Sequence, residues 1–374
     1  MLKFPGRLST ARFLQRYWQK EPLFMPAALP RVRPAITRNE LAWLATLDDV
    51  ESRLVFTQHS DTQIRYSAET GPFHASYLEA LPPRDWTLLV HDVEKHVPAM
   101  RRLFDHVPFV PDWRIDDLMV SFAAPGGGVG PHRDNYDVFL CQGIGRREWH
   151  VTTDDIADDP NASDDLALIR QFAGTTHAVG EGDVLYLPPG VAHWGTAKRA
   201  CMTYSIGMRA PQLSDLLTEL PDIEQHDPFY RDPDLQAVEA VPGYIAPEAR
   251  KRARQLVGDE LDDRGIATAL GCYATRTKDW ITPDGADEDE AVELVDTLVP
   301  HGALSVHGMA CIAWDDHSVY VNGAQRSRSA GDIDWLRPMC ASRVLDGALI
   351  VDSTARQCVA WMLKMGAFDL PENS

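Results

Sequence analysis

The stretch DDLMVSFAAPGGGVGPHRDNYDVFLCQGIGRREWHVTT, residues 116–153, decides how this chain is read. Short apolar runs rich in β-branched and aromatic residues are separated by glycine and proline, the pattern of strands joined by turns. It continues to about Arg209 through DVLYLPPG (183–190) and CMTYSIGMR (201–209). We therefore expect an all-β barrel or sandwich over 116–209, and place the catalytic core there. In an extended chain, residues two apart share a face, so His132 and Asp134 can offer an imidazole and a carboxylate to one metal ion. Tyr136 follows on that face.

An HxD pair alone says little in a chain with 13 histidines. A second pair, His59 and Asp61, lies in the polar segment TQHSDTQIRYS without a turn-and-strand frame, and reads as a surface feature. The third ligand comes from EGDVLYLPPGVAHWG (181–195), where an apolar run enters a Pro188-Pro189-Gly190 turn that delivers His193. Two histidines and one carboxylate on one side of an ion form the facial triad of non-haem iron(II) oxygenases. The open coordination positions then take a cosubstrate and dioxygen. A zinc hydrolase would bind fewer ligands in total beside a general base, and the chain has neither HExxH nor GxSxG. Glycines 126, 127, 128 and 130 lack the Lys-Ser/Thr and helix start of a phosphate loop; close backbone approach at a tight turn explains them better.

Beyond the triad, GRREW (145–149) opens a strand. Alternation lets only one of Arg146 and Arg147 face inward, where a guanidinium needs an anion such as a dicarboxylic cosubstrate. Spacing leaves the choice between them open. Asp117, Met119 and Ser121 share a face of the run before the glycines. If that face lines a pocket, Asp117 can hold a cationic side chain and Ser121 can bond the cosubstrate; a solvated Asp117 at a strand start is the alternative.

Outward from this core, residues 1 to about 115 combine helical stretches, TARFLQRYWQK (10–20) and RDWTLLVHDVEKHVPAMRRLF (84–104), with irregular proline-rich pieces. After Pro211 the chain returns to helix in SDLLTELPDIEQ (214–225) and APEARKRARQLVGDELDDRG (246–265), with Pro247 suited to a first turn. The acidic TPDGADEDE (282–290) reads as a linker. A helix (288–299), a hairpin (309–323) and helices at 331–342 and 353–366, the last with Ser353 as N-cap, complete a small α+β piece of winged-helix type. The expected domains are 1–209, 210–281 and 282–374.

The 374 residues are 44% hydrophobic and 24% charged, ordinary values for a chain that buries a core. No segment has the apolar h-region of a leader or the length of a membrane span, so the expected location is the cytoplasm. Six dispersed cysteines without CxxC read as reduced, buried side chains. The net charge is −19, from 36 Lys and Arg against 55 Asp and Glu. From Ile266 onward 8 basic residues face 16 acidic ones. That balance opposes DNA or RNA binding, which depends on neutralising phosphates. It suits a cationic protein or peptide partner, though solubility alone would also account for it.

Taken together, FLQRYWQKEPLFM (13–25), PDWRIDDLMVSFAAPGGGVGPHRDNYDVFLCQGIGRREW (111–149), GDVLYLPPGVAHWGTA (182–197) and MTYSIGMRAP (202–211) resemble the bacterial JmjC-type ribosomal oxygenases. These form a branch of the cupin-fold 2-oxoglutarate oxygenases. The resemblance implies an α+β chain with a double-stranded β-helix core, flanking helices, a helical dimerisation region and a C-terminal winged-helix-like domain. It implies Fe(II) at His132, Asp134 and His193, 2-oxoglutarate at Arg147 with Ser121, O2 as co-reactant, and a target-arginine pocket involving Asp117 and Tyr136. It further implies a homodimer that hydroxylates an arginine β-carbon of a basic large-subunit ribosomal protein, protein sixteen of that subunit. GPF (71–73) and WRIDD (113–117) place the chain in the bacterial branch. The competing readings are a histidine hydroxylase or lysine demethylase on the same fold, or a non-catalytic cupin-like binding module. A carboxylate at Asp117 suits guanidinium better than methylammonium.

Overall fold

The structure, a computed structural model, describes residues 1–29, 36–60, 63–162, 166–216, 229–235, 241–257, 263–297 and 302–370. The described residues form two compact units. Unit one comprises 1–108, 116–208 and 233–237, and unit two comprises 109–115, 209–232 and 238–374.

Unit one begins with α1 (Thr10–Arg16), β1 (Leu23–Met25), α2 (Arg38–Leu44), β2 (Ser52–His59), β3 (Ile64–Thr70), α3 (Ala75–Glu79), β4 (Trp86–Val90) and α4 (Val93–His96). Seven strands follow: β5 (Ile115–Ala123), β6 (Val138–Ile144), β7 (Arg146–Thr152), β8 (Thr175–Gly180), β9 (Val184–Leu187), β10 (Ala192–Ala197) and β11 (Cys201–Met208). They build an eight-stranded sheet in the order β1-β9-β6-β11-β5-β4-β2-β3 and a three-stranded sheet in the order β10-β7-β8. Val138, Leu140, Leu185 and Leu187 of the large sheet pack with Trp149, Val151 and Val179 of the small one, so the two sheets enclose a common core. Strand β7 shows why: Arg147, Trp149 and Val151 are buried while their neighbours are less so, the period of two of a strand with one face inward.

The all-β reading of 116–209 therefore holds, but the sheet is larger than it. RDWTLLVHDVEKHVPAMRRLF is not one helix: WTLLV is the interior strand β4, paired with β2 and β5, and α4 begins only at Val93. A run of five with four apolar residues fits a strand buried on both faces as well as a helix, and pairing on both edges decides for the strand. Strands β2 and β3 also lie in the part read as helical and irregular. At the other edge α1 lays Phe13 on the sheet, and the Trp18 that follows stacks on Tyr186 at 5.9 Å and 16°. Each buried side chain of that size contributes roughly 1.5–3 kcal/mol.

Unit two holds α5 (Leu213–Leu216), α6 (Pro247–Val257), α7 (Asp263–Thr275), α8 (Glu288–Thr297), β12 (Ala303–Ser305), β13 (Ile312–Trp314), β14 (Ser318–Val321), β15 (Ala324–Ser327), α9 (Ile333–Ser342), β16 (Val344–Asp346) and α10 (Ser353–Lys364). Pro247 opens α6 as expected. Only part of the helix expected over 214–225 lies in the described residues. Ala286, in the stretch read as a linker, is buried and its N–H bonds the Leu363 carbonyl of α10 at 3.1 Å. The N-cap of α10 is Asp352 rather than Ser353, because its carboxylate accepts from the Ala355 N–H at 2.8 Å.

Candidate active site

The loop between β5 and β6 carries His132, Asp134 and Tyr136. They do not lie on a regular strand: only His132 pairs, through a two-residue bridge with His193 of β10 (N–O distances 3.0 and 2.9 Å). The glycine-rich approach makes this course possible. A Cβ on Gly127 would sit 2.1 Å from the Trp86 carbonyl oxygen, so only glycine lets the loop pass β4. The Pro188-Pro189-Gly190 turn is tied to the same loop, with the Gly190 N–H donating to the Asp134 carbonyl at 2.7 Å.

Each imidazole is oriented by its own backbone. His132 Nδ1 lies 2.9 Å from the Gly130 carbonyl and His193 Nδ1 lies 3.0 Å from that of Val191. A carbonyl only accepts, so both Nδ1 atoms carry the proton and both Nε2 lone pairs are left for a ligand. Those Nε2 atoms stand 3.9 and 3.7 Å from the two oxygens of Asp134, too far for a hydrogen bond. All three donors fall within 4.8 Å of one another. Burial, reinforced by neighbouring His132, pushes the His193 imidazole down to about 4, so it stays neutral and ligand-competent near neutral pH. Two imidazoles that turn Nε2 toward one carboxylate suit a divalent cation. Among the described residues this is the single group of its kind. His59 of the second HxD pair is instead 3.5 Å from Asp85, and Asp61 lies outside the described residues.

The donors face a cavity of about 290 Å³ that also receives Asp117, Met119 and Ser121 from β5, Tyr136 from the loop and Arg147 from β7. The expected shared face of β5 is thus the pocket wall. Arg146 is exposed and Arg147 is buried at 3% exposure. The Arg147 guanidinium lies over the Trp149 ring at 4.9 Å, and Nη1 reaches Ser121 Oγ at 3.5 Å, the outer limit of a hydrogen bond. Its Nε and Nη2 have no partner among the described residues. Burial pulls the Arg147 pKa below its ordinary value. A buried cation with two idle N–H groups fits a bound carboxylate, the group that a dicarboxylic acid would present.

At the mouth, Asp117 Oδ2 accepts from His91 Nδ1 at 2.9 Å and, more weakly, from the Asp92 N–H at 3.4 Å. Tyr136 is 40% exposed, and the carboxylate of Asp134, with burial and Asp117, holds its phenol well above the usual range, so it remains a neutral donor. Several cavity residues had no signal in the sequence. His91 sits in a stretch read as helix, Trp149 was read only as strand, and Leu166 and Leu168 come from a loop.

Residues 102–216 match the JmjC domain family. Over 264 residues the chain is 39% identical to the ribosomal protein uL16 3-hydroxylase of Escherichia coli strain K12, covering 68% of each protein. This chain belongs to the JmjC-type ribosomal oxygenases. The oxygenase also matches the X-ray structure of Escherichia coli YcfD, with a TM-score of 0.74 at 29% identity over 98% of this chain and 100% of that one. A structure of the YcfD ribosomal oxygenase in complex with cobalt and 2-oxoglutarate gives a TM-score of 0.69 at 28% identity, over 98% and 99%. The two sheets of the oxygenase are accordingly the cupin double-stranded β-helix of an α+β chain. It is a 2-oxoglutarate-dependent dioxygenase, and Fe(II), 2-oxoglutarate and O2 are its cofactor and cosubstrates.

Proposed function

We propose that the chain hydroxylates the β-carbon of an arginine in a basic large-subunit ribosomal protein, the counterpart of uL16. One observation carries this reading: a His-Asp-His donor set, a buried guanidinium with idle donors and a carboxylate at the mouth share one cavity. His132, Asp134 and His193 would hold Fe(II). When bound, iron with 2-oxoglutarate supplies the oxidising chemistry, through oxidative decarboxylation of the cosubstrate. Arg147 would neutralise the distal carboxylate of 2-oxoglutarate through Nε and Nη2, with Ser121 Oγ beside it. Asp117 and Tyr136 would bind the target guanidinium, the first by charge and the second as a neutral donor. Leu166, Leu168, Val129 and Leu140 line the cavity with apolar surface and limit water.

Incubating the chain with Fe(II), ascorbate, 2-oxoglutarate and an arginine-rich peptide of uL16 tests the reading. Tandem mass spectrometry should place the mass of one added oxygen on one arginine; an unmodified peptide beside steady succinate formation would refute the substrate. Oxygen on a histidine, or loss of a lysine methyl group, would favour the rival enzymes of this fold.

The resemblance to the family supports three further parts of the reading. These are the division into 1–209, 210–281 and 282–374, a homodimer made through the second part, and a winged-helix-like third part in a cytoplasmic enzyme without direct DNA contact. The order α8, β12, hairpin, α9, α10 suits the winged-helix type, and among the described residues no helix is long and apolar enough to cross a membrane. Light scattering on the purified chain tests the dimer.

A further inference from the structure

Gly207 stands in the interior of β11, opposite Val138 of β6. Its φ lies outside the left-handed region, so the backbone there accepts any side chain. Glycine inside a strand costs roughly 0.5–1 kcal/mol against alanine, and without a conformational reason it marks a close approach of a backbone or a ligand. Among the described residues no backbone approaches. A Cβ built on Gly207 meets two of their atoms within 4 Å: Oδ1 of Asp117 at 3.2 Å and Cε2 of Tyr136 at 3.9 Å. These are the two side chains to which the arginine site is assigned.

The other oxygen of Asp117 is already engaged. Oδ2 accepts from His91 Nδ1 at 2.9 Å and from the Asp92 N–H at 3.4 Å, so the carboxylate plane is held with Oδ1 toward Gly207. His91 reaches Asp117 from the end of β4, and both line the cavity with Gly207. A carbon at the Gly207 Cβ position would stand 3.2 Å from Oδ1 and crowd a guanidinium nitrogen bonded to that oxygen, since charge-assisted N–H···O pairs measure about 2.7–2.9 Å.

We propose that Gly207 and His91 shape the arginine slot: Gly207 is a specificity-determining vacancy between Oδ1 of Asp117 and the Tyr136 ring, and His91 is a positioning residue that turns Oδ1 into it. The proposal rests on the arginine-hydroxylase reading and deepens it. With no side chain at 207, a planar guanidinium reaches Oδ1 beside the ring edge, whereas a Cβ there lies within contact distance of both groups and obstructs it. His91 acts by donation from Nδ1, so a side-chain amide can replace it and an apolar side chain cannot.

The experiment compares wild-type chain with Gly207→Ala, His91→Leu and His91→Asn, using a fluorescent uL16 peptide whose modified arginine has been mapped in the wild type. Peptide Kd is read by anisotropy without iron or oxygen, alongside 2-oxoglutarate Kd and thermal midpoint. We expect Gly207→Ala to weaken the peptide at least tenfold with no fall in thermal midpoint and less than twofold change for 2-oxoglutarate. His91→Leu should weaken it severalfold and His91→Asn should recover most of the loss. Should either alanine or leucine variant be too unstable, Gly207→Ser and His91→Phe serve for the same readout. An unchanged peptide Kd in a folded 207 variant overturns the slot. Equal losses in His91→Leu and His91→Asn overturn the positioning role. If the wild type modifies no arginine, the functional reading fails and the slot with it, an outcome distinct from hydroxylation with a 207 variant that binds normally.

Discussion

Replacing Arg147 by Met is expected to stabilise the cosubstrate-free protein while destroying its affinity for 2-oxoglutarate, two effects of opposite sign from one substitution. In the structure Arg147 is 3% exposed, its Nε and Nη2 bond nothing among the described residues, and Ser121 Oγ lies at the limit of reach. Each unsatisfied buried donor costs about 1–3 kcal/mol. Against this stands the contact with the Trp149 ring, worth roughly 0.5–2 kcal/mol. Methionine keeps most of the volume and needs no partner, and replacing a buried charge by an apolar group of similar size gains about 1–4 kcal/mol in favourable cases. A net gain near 1 kcal/mol raises the thermal midpoint by roughly 2–4 °C for a domain of this size. With 2-oxoglutarate bound the sign reverses, because the variant leaves a buried carboxylate unpaired at about 3–5 kcal/mol, or about two to three and a half orders of magnitude in Kd. Scanning fluorimetry of cobalt-loaded protein with and without 2-oxoglutarate reads both effects, since a ligand bound to the native state raises the midpoint by mass action. A variant that melts lower than wild type without 2-oxoglutarate, or that keeps the wild-type shift with it, would refute the assignment of Arg147.

His132→Ala and Asp134→Ala should each abolish succinate formation and cobalt binding followed by visible absorption, and stoichiometric cobalt binding by either variant would exclude that side chain as a ligand. Burial, reinforced by Asp117, pushes the Glu94 carboxyl from 4.5 up to about 7, so the folded chain holds a proton that the unfolded chain has released. Stability carried by that proton is present below about pH 4.5 and is lost as pH rises toward 7, at up to about 1.4 kcal/mol per pH unit. Glu94→Gln should therefore melt higher than wild type at pH 8 and alike at pH 4.5, and a constant difference across that range would contradict it. With a net charge of −19, the chain should bind the basic peptide less well as salt rises, through slower association, while 2-oxoglutarate binding inside the cavity changes little. Equal salt dependence for both ligands in stopped-flow measurements would argue against electrostatic steering.

The sequence by itself determined the metal donors and the strands that frame them, because these depend on local spacing. His132 and Asp134 are two residues apart behind a glycine turn, and His193 follows a Pro-Pro-Gly turn in a chain whose apolar runs are too short and too β-branched for helix. It also narrowed the cosubstrate cation to two neighbouring arginines. Tertiary structure decided what depends on partners distant in the chain. WTLLV has no period that separates a buried strand from a helix, and becomes β4 because β2 and β5 pair with its two edges. Arg147 rather than Arg146 faces the cavity because β7 registers between β10 and β8 with that side inward. His91, Asp117 and Gly207 span more than a hundred residues of chain and meet only where β4, β5 and β11 lie side by side. A pocket wall is assembled across strands by hydrogen-bond register, and no window along one strand contains it.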